Sequence, residues 1–112
     1  MDQSQSLNVL PFFDGNNYAF WKVRMGAFLC SINDTVWDAV GVGWTRPEAA
    51  KSTWDKTALA AANANSKALN AIFYVISPDE FHRIFHITIA KEAWEILETT
   101  YEGMKKVKDT KL

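Results

Sequence analysis

From about Trp54 to Ile76 the chain reads WDKTALAAANANSKALNAIFYVI, within its longest stretch free of glycine and proline. Leu59, Ala62, Ser66, Leu69, Phe73 and Ile76 recur there at steps of three and four, which places them along one stripe of an α-helix. Lys56, Asn63, Lys67 and Asn70 project away from that stripe. The first half is small-sided, so its alanines let neighbouring backbones approach. The second half is bulky and demands a deep apolar pocket. The pattern predicts a central helix that the rest of the chain is built to cover.

Shorter runs on either side carry the same period. Tyr18, Trp21, Met25, Phe28 and Ile32, with Leu29 beside them, predict a first helix with an aromatic buried face, and either Asn16 or Asn17 can cap it. Asn33-Asp34-Thr35 can cap a short second helix carrying Val36, Trp37 and Val40, with Gly41 placed to end it in a left-handed conformation. The loop GVGWTRP follows, and its Trp44 is expected to fold back onto the domain. Ser52, with Asp55 three residues on, marks the start of the central helix. Ser77-Pro78-Asp79-Glu80 reads as a capping box with proline at the first helical position and Ile76 and Phe81 as its staple, opening a short helix from Asp79 to His86.

From Thr88, Ile89, Ala93, Leu97 and Tyr101 step by four, with Ala90 and Trp94 flanking them, Lys91, Glu95, Glu98 and Glu102 opposite, and Gly103 as the expected stop. Residues 1–10 read as a polar, loose segment in which Leu7, Val9 and Leu10 can dock as a strap. VLPFF is a minor strand at most. The expected fold is all-α, a compact bundle of about five helices over residues 1–103, with 104–112 the basic start of a further helix or a linker.

Composition narrows the function. The 112 residues, 48% hydrophobic and with five tryptophans, suffice for the core of one domain. A net charge of -1 argues against a domain held to its partner mainly by neutralised phosphates. The lysines of 104–112 give that end a net charge of +3 and suggest no more than weak RNA contact. A single cysteine, Cys30, rules out an intramolecular disulfide and suits a reducing, cytoplasmic setting. It sits among Phe28, Leu29 and Ile32, where a thiol is expected to be packed and inert. No export signal or membrane span is expected from MDQSQSLNVLPFF or any later run.

His82 and His86 would share a helix face, but no further ligand and no catalytic glutamate accompanies them, so two surface histidines are expected, able to tune an interface. Gly41-Val42-Gly43 lacks the strand-to-helix context of a phosphate cradle. No nucleophile with a positioned base is recognisable, and neither an enzyme nor a cofactor is expected. Glu92, Glu95, Glu98 and Glu102 read first as a solvated helix face. Five tryptophans exceed what a small core needs, which makes Trp37, Trp44 and Trp54, together with His82 and His86, the candidates for a contact surface.

Phe13-Asp14-Gly15-Asn16-Asn17-Tyr18 with Trp21, Met25 and Leu29, then Trp37 and Trp54, then Ala90-Lys91-Glu92-Ala93-Trp94 with Leu97 and Tyr101-Glu102-Gly103, form a pattern over nearly the whole chain. Val107-Lys108 and Lys111-Leu112 also suit it. The pattern resembles the Gag polypeptide of plant Copia-type LTR retrotransposons. The resemblance implies a retroviral-capsid-like N-terminal lobe whose task is self-association in a particle or dimer. It further implies that Tyr18, Trp21, Met25, Trp94, Leu97 and Tyr101 are core residues, to which helix periodicity adds Leu69 and Phe73. The family's second lobe and zinc knuckle have no counterpart in this sequence, so zinc and specific RNA binding are not implied. The alternative expectation is a domesticated Gag-fold adaptor that holds a short peptide or another protein.

Overall fold

A computed structural model describes residues 10–110, with side chains described over 10–102. The elements are α1 (Tyr18–Ile32), α2 (Asp34–Gly41), a 3-10 turn (Lys51–Thr53), α3 (Lys56–Tyr74), α4 (Pro78–Ile84) and α5 (Ala90–Thr110). They form an all-α globule of five α-helices, with no strand among the described residues. What VLPFF contributes is one isolated parallel bridge, Phe13 to Ile76. In it Phe13 N donates to the Val75 carbonyl (2.6 Å) and Ser77 N donates to the Phe13 carbonyl (3.0 Å). The strap formed by Leu7 and Val9 lies outside the described residues.

Helix ends follow side-chain chemistry, not always at the expected residue. Asn33 caps α2, its Oδ1 accepting from Val36 N at 2.8 Å. The cap of α3 is Asp55 rather than Ser52, with Oδ1 accepting from Ala58 N at 2.8 Å. At α1 neither asparagine caps. Asn17 adopts the left-handed conformation (φ 57) and makes no capping bond, while Asp14 Oδ1 accepts from Asn16 N at 3.0 Å.

The left-handed glycine after α2 is Gly43 (φ +97), not Gly41, which is still helical; Gly43 N donates to the Asp38 carbonyl at 3.1 Å. Helix α5 passes Gly103 without stopping there and continues to Thr110. A glycine inside a helix costs only about 1 kcal/mol relative to alanine, so it does not by itself end one.

The short α2 packs against α1, α3 and α5, and α5 also packs on α3 and α4. Around that hub the core takes Trp21, Met25 and Leu29 from α1, Val36 and Val40 from α2, and Ile72, Ile84 and Leu97 from the later helices. Tyr18, Leu69 and Trp94 are buried with them, and Phe73 and Tyr101 are half-buried against the cluster.

Helix α3 is rotated relative to its expected stripe. Of that stripe Leu69 and Ile76 are buried and Ala62 and Phe73 half-buried, while Leu59 and Ser66 are exposed and Ala64, Asn65, Ala68 and Ile72 turn inward as well. Among the inward residues is Asn65, polar and only 3% exposed. Its Nδ2 donates to the Thr88 carbonyl and its Oδ1 accepts from Ala90 N, both at 2.8 Å, so it joins α3 to the first turn of α5.

Candidate functional site

Helix α1 is unusual in its circumference. Its sequence, YAFWKVRMGAFLCSI, holds only two charges, Lys22 and Arg24, and the residues turned away from the core are as apolar as those turned inward. Phe20 is 64% exposed and Val23 72%, with Ala19, Ala27 and Cys30 exposed beside them. A helix apolar all round is normally covered all round. Here one side lies on α2 and the other is open. Arg24 gives little relief, since its guanidinium lies 5.4 Å from the Phe20 ring centroid and covers that ring in part.

Between this open face and α5 runs a groove of about 710 Å³. Val23, Gly26 and Ala27 line it from α1, Trp37 and Val40 from α2, and Trp94 from α5. Gly26 brings the helix backbone close to the Trp37 ring, so that a Cβ there would stand 3.3 Å from Cη2. Trp37 in turn meets Trp94 edge-on at 5.7 Å.

The rim is charged. Lys22 Nζ lies 2.5 Å from Glu98 and 2.8 Å from Glu102, and Lys91 pairs with Glu95 at 3.3 Å. Three carboxylates therefore face two ammonium groups along α5. Of the carboxylates read first as a solvated face, Glu92 and Glu95 are exposed, and Glu95, Glu98 and Glu102 also line the groove.

Below the rim lies a tyrosine pair. Tyr18 and Tyr101 stack at 5.6 Å, and Tyr101 donates its hydroxyl to the carboxylate of Glu80. Glu80 is only 4% exposed and lies 3.4 Å from Arg83 Nε. It is thus turned inward and does not close the capping box expected of it; Ser77 sits at the cap position with proline after it but forms no side-chain bond. Gly15, at φ +100, makes this possible by passing within 3.4 Å of Glu80 Oε2, measured from where a Cβ would be. The Tyr18 hydroxyl is buried and finds no hydrogen-bond partner among the described residues.

The ionisation of these groups shifts in one direction. Burial, then the Glu80 hydrogen bond, pushes Tyr101 up to about 12. Burial and the charges of Glu98 and Glu102 raise Tyr18, and hydrogen bonds to Glu102 and Glu98 raise Lys22. Each group holds its proton more tightly folded than unfolded. Their stabilisation is therefore complete below the unfolded values, about pH 10, and is lost as pH climbs through the folded ones. Urea unfolding across that range should show a plateau that falls above about pH 10. In Tyr101→Phe the fall should be shallower.

The candidates expected from sequence separate into three places. Trp37 lines the groove. Trp44 and Trp54 are half-buried and meet edge-on at 6.5 Å on the far side of α2, against α3. His82 and His86 are exposed on either side of Phe85, with ring centroids 6.5 and 5.7 Å from it. Among the described residues no three histidine, cysteine, aspartate or glutamate side chains are grouped to hold a metal.

Cys30 is exposed, contrary to the packed thiol expected, because the core-facing residues of that turn are Met25, Gly26 and Leu29. Phe20 and Val23 escaped the sequence reading, which followed one stripe of α1 and did not ask what the other sides carried. The scarcity of charge in the helix was the signal. No described helix is long and apolar enough to cross a membrane.

The fold and groove define a helical globule with an apolar surface channel. Comparison of the chain with protein-family models, with curated proteins and with solved structures gave no match.

Proposed function

We propose that this chain is the N-terminal, capsid-like lobe of a Copia-type Gag protein, that it works by self-association, and that it carries no catalytic centre. The observation that carries the reading is the open face of α1, where Phe20 and Val23 stand in water on a helix whose only charges are Lys22 and Arg24. Apolar area removed from water is worth roughly 25 cal/mol per Å², so a second copy covering this face gains from each exposed ring and methyl. The residue pattern from Phe13 to Gly103 supports the family assignment. Contacts of this size are individually weak, and repetition in an assembly raises their effect through avidity.

The test is sedimentation of the chain over a concentration series. Apparent mass should rise with concentration, and Phe20→Glu with Val23→Glu should abolish the rise while leaving the helical circular dichroism intact. A strict monomer at every concentration, or a double variant that associates as before, overturns the reading. The groove itself supports a second reading, an adaptor that accepts a short apolar segment between α1 and α5. On that reading the chain stays monomeric, and added peptide protects Trp37 from a fluorescence quencher.

A further inference from the structure

On the far side of α2, a separate cleft of about 400 Å³ lies between the 44–54 loop, the outer face of α3 and the start of α5. Its walls close round it further than those of the α1/α5 groove. Trp44 and Trp54 supply the aromatic surface, Arg46 and Lys51 the charge, and Asn63 and Ser66 the polar edge along α3. None of the described residues lining it is acidic. Of the carboxylates nearby in sequence, Asp55 is engaged in capping α3, and Glu48 is exposed and does not line the cleft.

The walls are held in place before any ligand arrives. Trp54 Nε1 donates to the Ala49 carbonyl at 2.9 Å, and Thr53 N and Oγ1 both donate to the Ala50 carbonyl, at 2.8 and 2.6 Å. The Arg46 guanidinium lies over the Trp54 ring, 5.1 Å from its centroid, and so covers one face of that indole. Asn65 anchors the opposite wall through Thr88 and Ala90. Two tryptophans on a loop, Trp54 tethered and both left half in water, do little for the core. The rings stand edge-on to each other at 72°, so a flat group can stack on one of them only, and Trp44 is the one that Arg46 does not cover.

The geometry points to a binding site for a nucleotide unit, a nucleobase stacked on the Trp44 ring with Trp54 edge-on beside it and its phosphate on Arg46 and Lys51. Every base offers a π face, so such stacking tolerates sequence. Guanidinium groups match phosphate oxygens in a two-pronged geometry, and an ammonium adds a point charge. Amide and hydroxyl groups at Asn63 and Ser66 can meet the base edge. An apolar peptide would leave both cations unused, and an acidic peptide would leave the Trp44 ring unstacked. The site needs no glycine cradle, and it suits a chain of net charge -1 because stacking supplies the affinity and phosphate neutralisation is limited to two cations. The salt dependence is accordingly shallow, with a log–log slope of about -0.7 for the one phosphate of the unit on a single strand.

The same chemistry is offered by a free nucleotide and by a unit of single-stranded nucleic acid, so the experiment uses both. The five indole N–H resonances of the chain are followed during titration with adenosine monophosphate and, separately, with a short oligoadenylate. The Phe20→Glu, Val23→Glu background keeps self-association out of the readout. The Trp44 and Trp54 signals should move while those of Trp21, Trp37 and Trp94 stay. Movement with the monophosphate marks a free-nucleotide pocket; movement with the oligonucleotide alone marks a strand-binding one; both support the site.

Trp44→Ala should weaken binding roughly 5- to 150-fold, the range for losing one stacked base. Arg46→Glu, which leaves the loop's hydrogen bonds in place, should weaken it as well. The proposal is overturned if neither probe moves Trp44 and Trp54. It is equally overturned if binding survives Trp44→Ala but is lost when Lys105, Lys106 and Lys108 become alanine. A peptide that shifts these two resonances where neither nucleotide probe does would also overturn it.

Discussion

Phe13→Ala is expected to cost about 3–5 kcal/mol, the range for removing a fully buried phenylalanine. The ring is 1% exposed and sits at the centre of the aromatic cluster, with Tyr101 edge-on at 4.8 Å, Trp21 at 5.1 Å and Tyr18 edge-on at 5.6 Å. Truncation leaves a cavity that three rings on two different helices cannot easily fill, because Trp21 is tethered through Nε1 to the Pro11 carbonyl at 2.9 Å and Tyr101 is tethered to Glu80. The backbone bridge to Val75 and Ser77 survives the substitution in principle, so the loss reports packing alone. A domain of this size is commonly stable by about 5–15 kcal/mol, so the midpoint of urea unfolding should fall by a large fraction of its value. The adjacent Phe12, exposed to solvent, is the internal control. Phe12→Ala should change the unfolding free energy by no more than about 0.5 kcal/mol.

The contrast between these neighbours shows where the sequence is legible and where it is not. Helix number, approximate bounds and most of the buried aromatics follow from period and composition, because a core residue repeats with its helix. Tyr18, Trp21, Met25, Leu69, Trp94 and Leu97 are all read this way, and all are buried. Caps are legible only as residue types. Asn33 and Asp55 take the role, while Asn17 and Ser77 occupy the cap position without the bond. Asn17 fails because its own backbone is left-handed, a consequence of the tight turn through Gly15 that residue identity does not announce.

What period alone cannot show is a polar residue turned inward by a partner distant in sequence. Glu80 faces Tyr101 and Asn65 faces Thr88 and Ala90, and each ties the helix that carries it to α5. The candidate surfaces are illegible for the same reason. The groove is made from α1, α2 and α5, and the tryptophan cleft from a loop, α3 and the start of α5, so neither exists within one stretch of chain. The two tryptophans of the cleft were recognisable as a surplus. Their proximity to Arg46 and Lys51 was half visible in the loop, and the wall opposite them was not.

Asn65 tests that principle directly, and its substitution carries the second large effect. Asn65→Ala should cost about 2–4 kcal/mol, because the Thr88 carbonyl and the Ala90 amide both lose their partner while the helices remain packed around them. A bare transfer argument predicts the opposite, since alanine is the better helix former and buries no polar group. The sign of the change in urea midpoint therefore decides whether the buried amide is a tolerated polar residue or the joint between α3 and α5.

Asn65→Asp sharpens the distinction. The carboxylate still accepts from Ala90 N but faces the Thr88 carbonyl with no proton to give, so burial and that carbonyl both favour the neutral acid. Its folded pKa is then raised above the unfolded value, and the deficit relative to the parent chain should shrink as pH falls through that value. A deficit independent of pH would place the Asn65 side chain outside the bonded joint. Because Asn65, Thr88 and Ile89 also line the tryptophan cleft, either variant should disturb the indole signals of Trp44 and Trp54 before it disturbs that of Trp37, which lies in the groove on the other side of α2.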